Sequence, residues 1–185
     1  MRRNIFVAVL VVILTAALAT AASAASVHFK KGGTPTCTIT STSASSTSTT
    51  CTGEVAGLGM EDVDILVSVG GTAVYQCQNQ GGNIAPGQNK VLVGPTTTPT
   101  HISSGEIKNG NLLFTTNAAE LSAPTTVTAE QAGCPNPNWT GVNPTLTVTD
   151  ITLQFFQGGN LVFTCSASNP SGLSGTVTLS NCTFA

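Results

Sequence analysis

Uncharged amide side chains are concentrated in two segments of this chain. The first runs from Cys77 to Asn89, and the second, which contains the single tryptophan, runs from Cys134 to Thr140. Amides donate and accept hydrogen bonds without carrying charge, and an indole ring stacks on a sugar or a peptide. The combination predicts a shallow binding surface. The predicted binding residues are Asn83, Gln88, Asn89, Asn138 and Trp139.

The same two segments also have a purely structural interpretation. Asn and Gln side chains commonly bond the backbone of their own loop, while Pro fixes the φ angle. In this interpretation Trp139 caps one end of the hydrophobic core instead of contacting a ligand. The sequence alone leaves the two interpretations open.

Side chains suited to catalysis are sparse. The two histidines, His28 and His101, lie in no catalytic motif, and the chain contains no Gly-x-Ser-x-Gly sequence. A glycosidase needs two carboxylates across a cleft, and no pair is singled out here. We therefore predict a protein that is not an enzyme and has no catalytic residues, with a hydrolase as a remote alternative. The carboxylates considered are Glu61, Asp62, Glu106 and Asp150.

Metal and cofactor binding also find little support in the sequence. Asp62 and Asp64 fall on one face of a predicted strand and could contribute to a Ca²⁺ site. Calcium takes six or more oxygen ligands, and the remaining ligands are not evident. Carboxylates are also common at the solvent-exposed start of a strand, so we predict no metal site and no cofactor.

The six cysteines predict three disulfides. Cys37 and Cys51 flank a Ser/Thr-rich tract, and Cys165 and Cys182 flank a short Pro-containing loop. Closeness along the chain favours pairing within each of these sets, which leaves Cys77 to pair with Cys134, although six cysteines allow other connectivities. No Cys-x-x-Cys motif and no neighbouring histidine indicates redox chemistry or metal binding. The predicted disulfide residues are Cys37, Cys51, Cys77, Cys134, Cys165 and Cys182.

The start of the chain has the pattern of a secretory signal peptide. Arg2 and Arg3 precede an apolar run over residues 5–18, and Ala22-Ser23-Ala24 has the small residues of a cleavage site. We predict that residues 1–25 are removed and that residues 26–185 form a single secreted β domain. Disulfides form readily outside the cytosol, so the two predictions support each other. The expected localisation is extracellular, with no membrane association after cleavage.

Charge excludes several classes of partner. After residues 1–25 are removed, four lysines and eight acidic residues leave a net charge of −4. Phosphate backbones and anionic membranes both require a basic surface, so we predict no nucleic-acid partner and no membrane partner.

Charged residues are only 8% of the chain, against about a quarter in a typical protein. Thr, Ser, Gly and Asn provide the polarity instead, which favours strands and turns over helices.

Alternating hydrophobicity predicts the strands. Val63, Ile65, Val67 and Val69 share one face of a strand, and Gly70-Gly71 then predicts a two-residue hairpin turn. Between residues 146 and 156 the apolar positions change parity at Asp150, which predicts a β-bulge or a change of sheet. Residues 175–184 change parity in the same way, and Gly158-Gly159 predicts another turn.

About nine to eleven short strands separated by turn residues are typical of a two-layer β fold. We predict an all-β antiparallel sandwich, immunoglobulin-like in the broad sense and stapled by disulfides, with a β-barrel as the alternative.

The tract between Cys37 and Cys51 contains almost only Ser and Thr. It predicts a polar hairpin with a freely variable tip, or a tip that carries O-linked sugars.

Three blocks carry a resemblance to a known group of proteins. They are residues 27–32 (Val-His-Phe-Lys-Lys-Gly), the Gly-Gly-Asn-Ile-Ala-Pro-Gly-Gln-Asn loop at 81–89 and the Cys-Pro-Asn-Pro-Asn-Trp-Thr loop at 134–140. In this order they resemble an uncharacterised family of small secreted β-proteins of actinobacteria. Residues 107–111 and the final cysteine hairpin extend the similarity over most of the chain that follows the signal peptide. The resemblance implies secretion and a β fold, and it implies no activity.

The sequence therefore predicts an extracellular, non-enzymatic binding protein. Its expected partner is a cell-wall or environmental glycan, or a protein, bound through the Asn/Trp-rich loops. The alternative is a structural or self-assembling cell-surface component, in which edge strands of neighbouring copies pair. The oligomeric state does not follow from the sequence.

Overall fold

The computed structural model describes residues 26–168, 170 and 174–185. The predicted signal peptide, residues 1–25, lies outside this range. Among the described residues, no helix has the length and apolar character needed to cross a membrane.

The described residues form twelve strands, one short helix and one 3-10 turn at Ser104–Glu106. The strands are β1 (His28–Phe29), β2 (Thr36–Ser43), β3 (Ser46–Ala56), β4 (Val63–Gln78), β5 (Ile84–Ile102), β6 (Asn111–Thr115), β7 (Ala119–Ser122), β8 (Val127–Thr128), β9 (Thr140–Gln157), β10 (Asn160–Ser168), β11 (Gly175–Thr178) and β12 (Asn181–Phe184), and the helix is α1 (Ala129–Ala132).

The strands form two antiparallel sheets, which confirms the predicted all-β sandwich. In the first sheet, β3 pairs with β1 and β2 on one side and with β6 and β7 on the other, and β11 extends it beside β2. The second sheet has the order β12-β10-β9-β4-β5, with β8 beside β9. Asn117 donates hydrogen bonds to Thr100 Oγ1 at 2.7 Å and to Pro99 O at 2.9 Å, linking a loop of the first sheet to β5. These two bonds link the two sheets along this side.

The core lies between the two sheets and follows the alternation of the sequence. On β4, Val63, Ile65, Val67 and Val69 are fully buried, as the period of two predicts. An aromatic cluster fills one end, where the stacked rings of Phe155 and Phe163 lie 4.8 Å apart between centroids. Other rings packed in this cluster are Phe29, Phe114 and Phe184.

The predicted hairpin turn at Gly70-Gly71 is wrong. The β4 strand continues through both glycines for 16 residues, and Ala73, Tyr75 and Cys77 prolong its buried face. The apolar parity does not change at the glycine pair, and this is the signal that identifies one long strand. A Cβ atom on Gly71 would lie 2.5 Å from the carbonyl oxygen of Thr147, so glycine permits a close approach of β4 and β9.

The predicted changes of parity are confirmed. In the β4–β9 ladder Gly70 pairs with Asp150 while Gly71 pairs with Val148, which places a bulge at Thr149. Residues 175–184 change sheet, because β11 belongs to the first sheet and β12 to the second. Gly158 and Gly159 form the predicted two-residue turn between β9 and β10, with φ angles of 54° and 80°.

All three predicted disulfides are present. Cys37–Cys51 and Cys165–Cys182 each join residues that lie directly opposite on neighbouring strands. Cys77–Cys134 joins the end of β4 to the segment after α1, with 5.6 Å between the Cα atoms. This bond brings the two amide-rich segments to one end of the second sheet.

The Ser/Thr tract forms the predicted hairpin, β2 and β3, but its tip is not free. Leu146 N donates to Ala44 O at 2.8 Å, and Ala123 N donates to Ser45 O at 2.9 Å. Two backbone bonds therefore hold the tip against β9 and against the segment after β7. The sequence does not reveal these distant partners of the tip.

Candidate functional site

At the candidate site, the regular strand pairing of β4 is interrupted on both sides of Tyr75. In the β4–β9 ladder Val74 pairs with Thr145 and Gln76 with Val142, so Asn143 and Pro144 together face Tyr75. In the β4–β5 ladder Val74 pairs with Lys90 and Gln76 with Pro86, so residues 87–89 form the matching bulge. Bulges bend and twist a strand, and two of them beside one residue open the end of the sheet.

Local sequence explains both bulges. Pro144 cannot donate a ladder hydrogen bond, and Asn143 has a φ angle of 51°, a conformation that Asn tolerates better than most residues. On the other side, a Cβ atom on Gly87 would lie 2.5 Å from Tyr75 O and 2.7 Å from Ala132 O. Only glycine allows the β5 bulge to approach both carbonyl oxygens so closely.

Tyr75 is the fixed point between the bulges. Its ring is buried, and its hydroxyl donates a hydrogen bond to Pro124 O at 2.8 Å. Burial raises the pKa of the Tyr75 hydroxyl above its ordinary value, so the phenol stays neutral and remains a donor. The side chain thus ties β4 to the segment that follows β7.

A cleft of about 650 Å³ opens beside this bend, and we call it the amide cleft. The tip of the β2–β3 hairpin forms one wall, and the bulged parts of β4, β5 and β9 form the others, together with Thr125 from the segment between β7 and β8. None of the lining side chains carries a formal charge. The lining residues are Ser43, Ala44, Ser45, Val74, Tyr75, Gln76, Pro86, Gly87, Thr125, Asn143, Pro144 and Thr145.

Two amide side chains are paired in the cleft. Asn143 Nδ2 donates to Gln76 Oε1 at 2.9 Å, and both residues are exposed. They are 67 positions apart in the chain. Sequence reasoning missed both residues, although the Asn-Pro dipeptide at 143–144 is a turn signal within an otherwise alternating strand.

Some of the predicted binding residues lie in loops that are organised by their own hydrogen bonds. Asn79 Oδ1 accepts from the backbone nitrogens of Gly81 and Asn83, both at 2.9 Å. In the second loop, Asn136 Oδ1 accepts from Asn138 N at 2.9 Å, and Asn136 O accepts from Trp139 N at 3.1 Å. The first Asn of each loop shapes the turn, while Asn83 and Asn138 are exposed.

Asn89 has a structural role. Its Nδ2 atom donates to Glu130 O at 3.0 Å, and its side chain lies against Gly133, which ends α1 with a φ angle of 68°. Asn89 therefore fixes α1, and with it Cys134, against β5. The interpretation that amides serve the loop backbone applies to this residue.

Gln88 and Trp139 remain at the same end of the sheet as the amide cleft. Gln88 is exposed on the β5 bulge, directly after the lining residue Gly87. Trp139 is half-buried and packs partly against the core. Only part of the indole surface is therefore accessible from solvent.

A second polar cluster joins β4 and β5 at the opposite end of the sheet. His101 Nδ1 lies 2.8 Å from Asp64 Oδ1, and His101 Nε2 lies 3.8 Å from Asp62 Oδ2. The hydrogen bond with Asp64 is the main cause that raises the pKa of His101. The backbone N–H of Ser104 donates to Asp62 at 2.7 Å and lowers the pKa of that carboxyl.

The cluster was not evident from spacing, because only the ladder register places Asp64 opposite His101. The two carboxylates approach different ring nitrogens, so they do not converge on one point. Within the part of the chain that the structure describes, no group of three or more His, Cys, Asp or Glu side chains is arranged to hold a metal ion.

Comparisons with known proteins add little. No protein-family model matches the chain, and no curated protein matches it. One similar solved structure is a β-glucuronidase of Bacteroides uniformis, with a TM-score of 0.31 and 12% identity. The match covers 77% of this chain and 14% of the glucuronidase. This similarity is too low to support an argument about fold family or activity.

Proposed function

We propose that this chain is an extracellular, non-enzymatic binding protein that takes a neutral glycan in the amide cleft. The observation that carries the proposal is the lining of a cleft of about 650 Å³ by hydroxyl, amide and apolar groups without a charged side chain. Clefts of about 300–1,000 Å³ are the usual size for small-ligand sites.

The chemistry of the lining supports a sugar ligand. Ser43, Ser45, Thr125 and Thr145 surround the cleft with hydroxyl-bearing residues, which donate and accept hydrogen bonds as sugar hydroxyls do. A charged ligand would lose its hydration without meeting an opposite charge, which is unfavourable. The lining also lacks the carboxylate or imidazole that would act as a general acid or base, and this supports binding over hydrolysis.

The amide-rich loops extend the proposed surface beyond the cleft. Gln88 follows the lining residue Gly87, and Trp139 directly precedes the first residue of β9. In this proposal, the accessible part of the Trp139 ring stacks on a neighbouring sugar of the same chain. The three disulfides are consistent with an extracellular setting.

A pull-down with insoluble polysaccharides and cell walls tests the proposal. The oxidised protein, residues 26–185, is expected to be retained on at least one neutral polysaccharide. Thr145→Arg places a long side chain in the cleft and is expected to reduce retention about tenfold or more, because the side chain clashes with the bound sugar.

Gln154→Arg is the matched control, because Gln154 lies on the same strand, β9, but outside the cleft. It is expected to leave retention unchanged. Equal retention of both variants and the wild type would place binding away from the cleft. No retention on any polysaccharide would overturn the glycan proposal and favour the self-assembling alternative.

A further inference from the structure

The Gln76–Asn143 pair leaves a defined set of unused hydrogen-bonding groups in the amide cleft. Each side-chain amide has one carbonyl oxygen and one NH₂ group. Their mutual hydrogen bond, 2.9 Å long, engages the carbonyl of one residue and the NH₂ of the other. Among the described residues, neither side chain has another hydrogen-bond partner, so one carbonyl and one NH₂ of the pair stay free.

The pair keeps one free carbonyl and one free NH₂ whichever way the two amides are oriented. Exchanging the nitrogen and oxygen of both groups reverses the direction of the bond but again leaves one carbonyl and one NH₂ free. The pair therefore offers a ligand one acceptor and one donor. A secondary amide, with its N–H and C=O, is the complementary ligand group.

Apolar surface lies beside the amide pair. Val74 is 42% exposed although it lies in a central strand of the sheet. Pro86 and Pro144 line the same cleft from the two flanking strands. Val74 and Pro86 are exposed, whereas Pro144 is buried. The two exposed side chains form a small apolar surface on which a methyl group loses contact with water, which is favourable.

We propose that the amide cleft recognises the acetamido group of an N-acetylated amino sugar within a glycan chain. The acetamido N–H donates to the free carbonyl, its oxygen accepts from the free NH₂, and its methyl group contacts Val74 and Pro86. The inference rests on the proposed function and names its ligand class.

The surroundings favour a sugar over a peptide, which also carries amides. A peptide that adds a strand needs a free sheet edge. The edge strand here is β5, which contributes only Pro86 and Gly87 to the cleft, and Pro86 has no N–H to donate. The hydroxyl-bearing residues Ser43, Ser45, Thr125 and Thr145 are instead suited to the hydroxyls of a sugar ring.

Three β-1,4-linked oligosaccharides of equal length provide the test, in calorimetric titrations of the oxidised protein. They are built from N-acetylglucosamine, glucosamine and glucose, and differ only at carbon 2. The N-acetylated oligomer is expected to bind about tenfold or more tightly than the other two, because they leave the free amide groups unpaired. Equal affinity for all three would overturn the acetamido inference and leave neutral glycan binding in place.

Asn143→Gly removes one amide and keeps the φ angle of 51° accessible. Asn109→Gly is the matched control, because Asn109 has a φ angle of 52° and does not line the cleft. Loss of binding only in Asn143→Gly supports the inference, and unchanged binding in that variant overturns it.

Gln76→Glu is a second variant for the case in which Asn143→Gly impairs folding. The carboxylate still accepts from Asn143, but it replaces the free donor by an acceptor, so binding of the N-acetylated oligomer is expected to fall about tenfold. Unchanged binding of that oligomer would overturn the inference.

Failure of all three oligomers, together with retention on no polysaccharide, would overturn the proposed function as well. Displacement of the N-acetylated oligomer by an extended uncharged peptide would instead identify a peptide site and overturn the inference.

Discussion

Two threonines in the first sheet are buried without hydrogen bonds. Thr47 and Thr49 are fully buried on the inner face of β3, and no described residue pairs with either hydroxyl. A buried hydroxyl without a partner destabilises a protein by about 1–3 kcal/mol. The Ser/Thr tract places these groups in the core because alternate residues of a strand face opposite sides.

Thr47→Val and Thr49→Val are therefore expected to stabilise the protein. Each change replaces a hydroxyl by a methyl group of similar shape and should raise the free energy of unfolding by about 1 kcal/mol. Denaturant unfolding measures the effect, and Thr38→Val, at an exposed position of β2, is the control. Lower stability of the core variants would show that the hydroxyls have partners, such as internal water.

His101 is expected to titrate above its ordinary pKa of about 6.5. Because the folded pKa is the higher one, its contribution to stability is fully present below that ordinary value and is lost as the pH rises through the folded pKa. NMR titration of the imidazole checks the pKa directly. In Asp64→Asn the principal cause is removed, so the pKa of His101 should fall. An unchanged pKa in Asp64→Asn would contradict the assignment.

At the scale of the strands, the two adjacent glycines of β4 differ in how closely other atoms approach them. A Cβ atom at Gly71 would meet Thr147 O at 2.5 Å and Leu121 Cδ2 at 3.1 Å. A Cβ atom at Gly70 would make only ordinary contacts, with Asp150 atoms at 3.8 Å. The first position requires glycine because of packing, and the second does not.

Gly71→Ala is expected to destabilise the protein by about 1–3 kcal/mol, since the backbone of β9 must shift. Gly70→Ala, one residue away, should be neutral or slightly stabilising, because alanine restricts the unfolded chain more than glycine does. Thermal unfolding of the two variants gives the comparison. Equal effects at both positions would contradict the close approach of β4 and β9.

The strands show which part of the fold was accessible from pattern alone. Parity correctly located the bulge near Asp150 and the sheet change within residues 175–184. The turn prediction at Gly70-Gly71 failed because glycine pairs serve both turns and close strand contacts. Apolar parity, which is continuous through this pair, was the better signal.

For the whole molecule, the disulfides are expected to provide a large share of the stability. Cys77–Cys134 spans 57 residues, and closing a loop of that length stabilises a folded chain by about 4 kcal/mol in the loop-entropy description. Reduction of all three bonds should lower the melting temperature by tens of degrees, because the net stability of a domain is only about 5–15 kcal/mol. Calorimetry of the oxidised and reduced protein measures this change, and a shift of only a few degrees would contradict it.

Replacing Cys77 and Cys134 by alanine removes that single bond and measures how much it contributes to stability. The bond joins β4 to the segment after α1, at the same end of the sheet as the amide cleft. The double variant is expected to lose more stability than a Cys37/Cys51 double variant, because the Cys37–Cys51 bond spans only 14 residues.

The sequence by itself determined the β class and the burial of alternate residues, since these depend on local periodicity. It favoured the observed disulfide pairing through closeness along the chain, and the structure decided that pairing. It also located the two amide-rich loops, whose common end of the sheet follows from the Cys77–Cys134 bond. Only the tertiary structure decided where the amide cleft lies. Gln76 and Asn143 are 67 residues apart, and the pairing of β4 with the bulged part of β9 brings their side chains together. Local periodicity contains no information about which distant strands become neighbours or in what register.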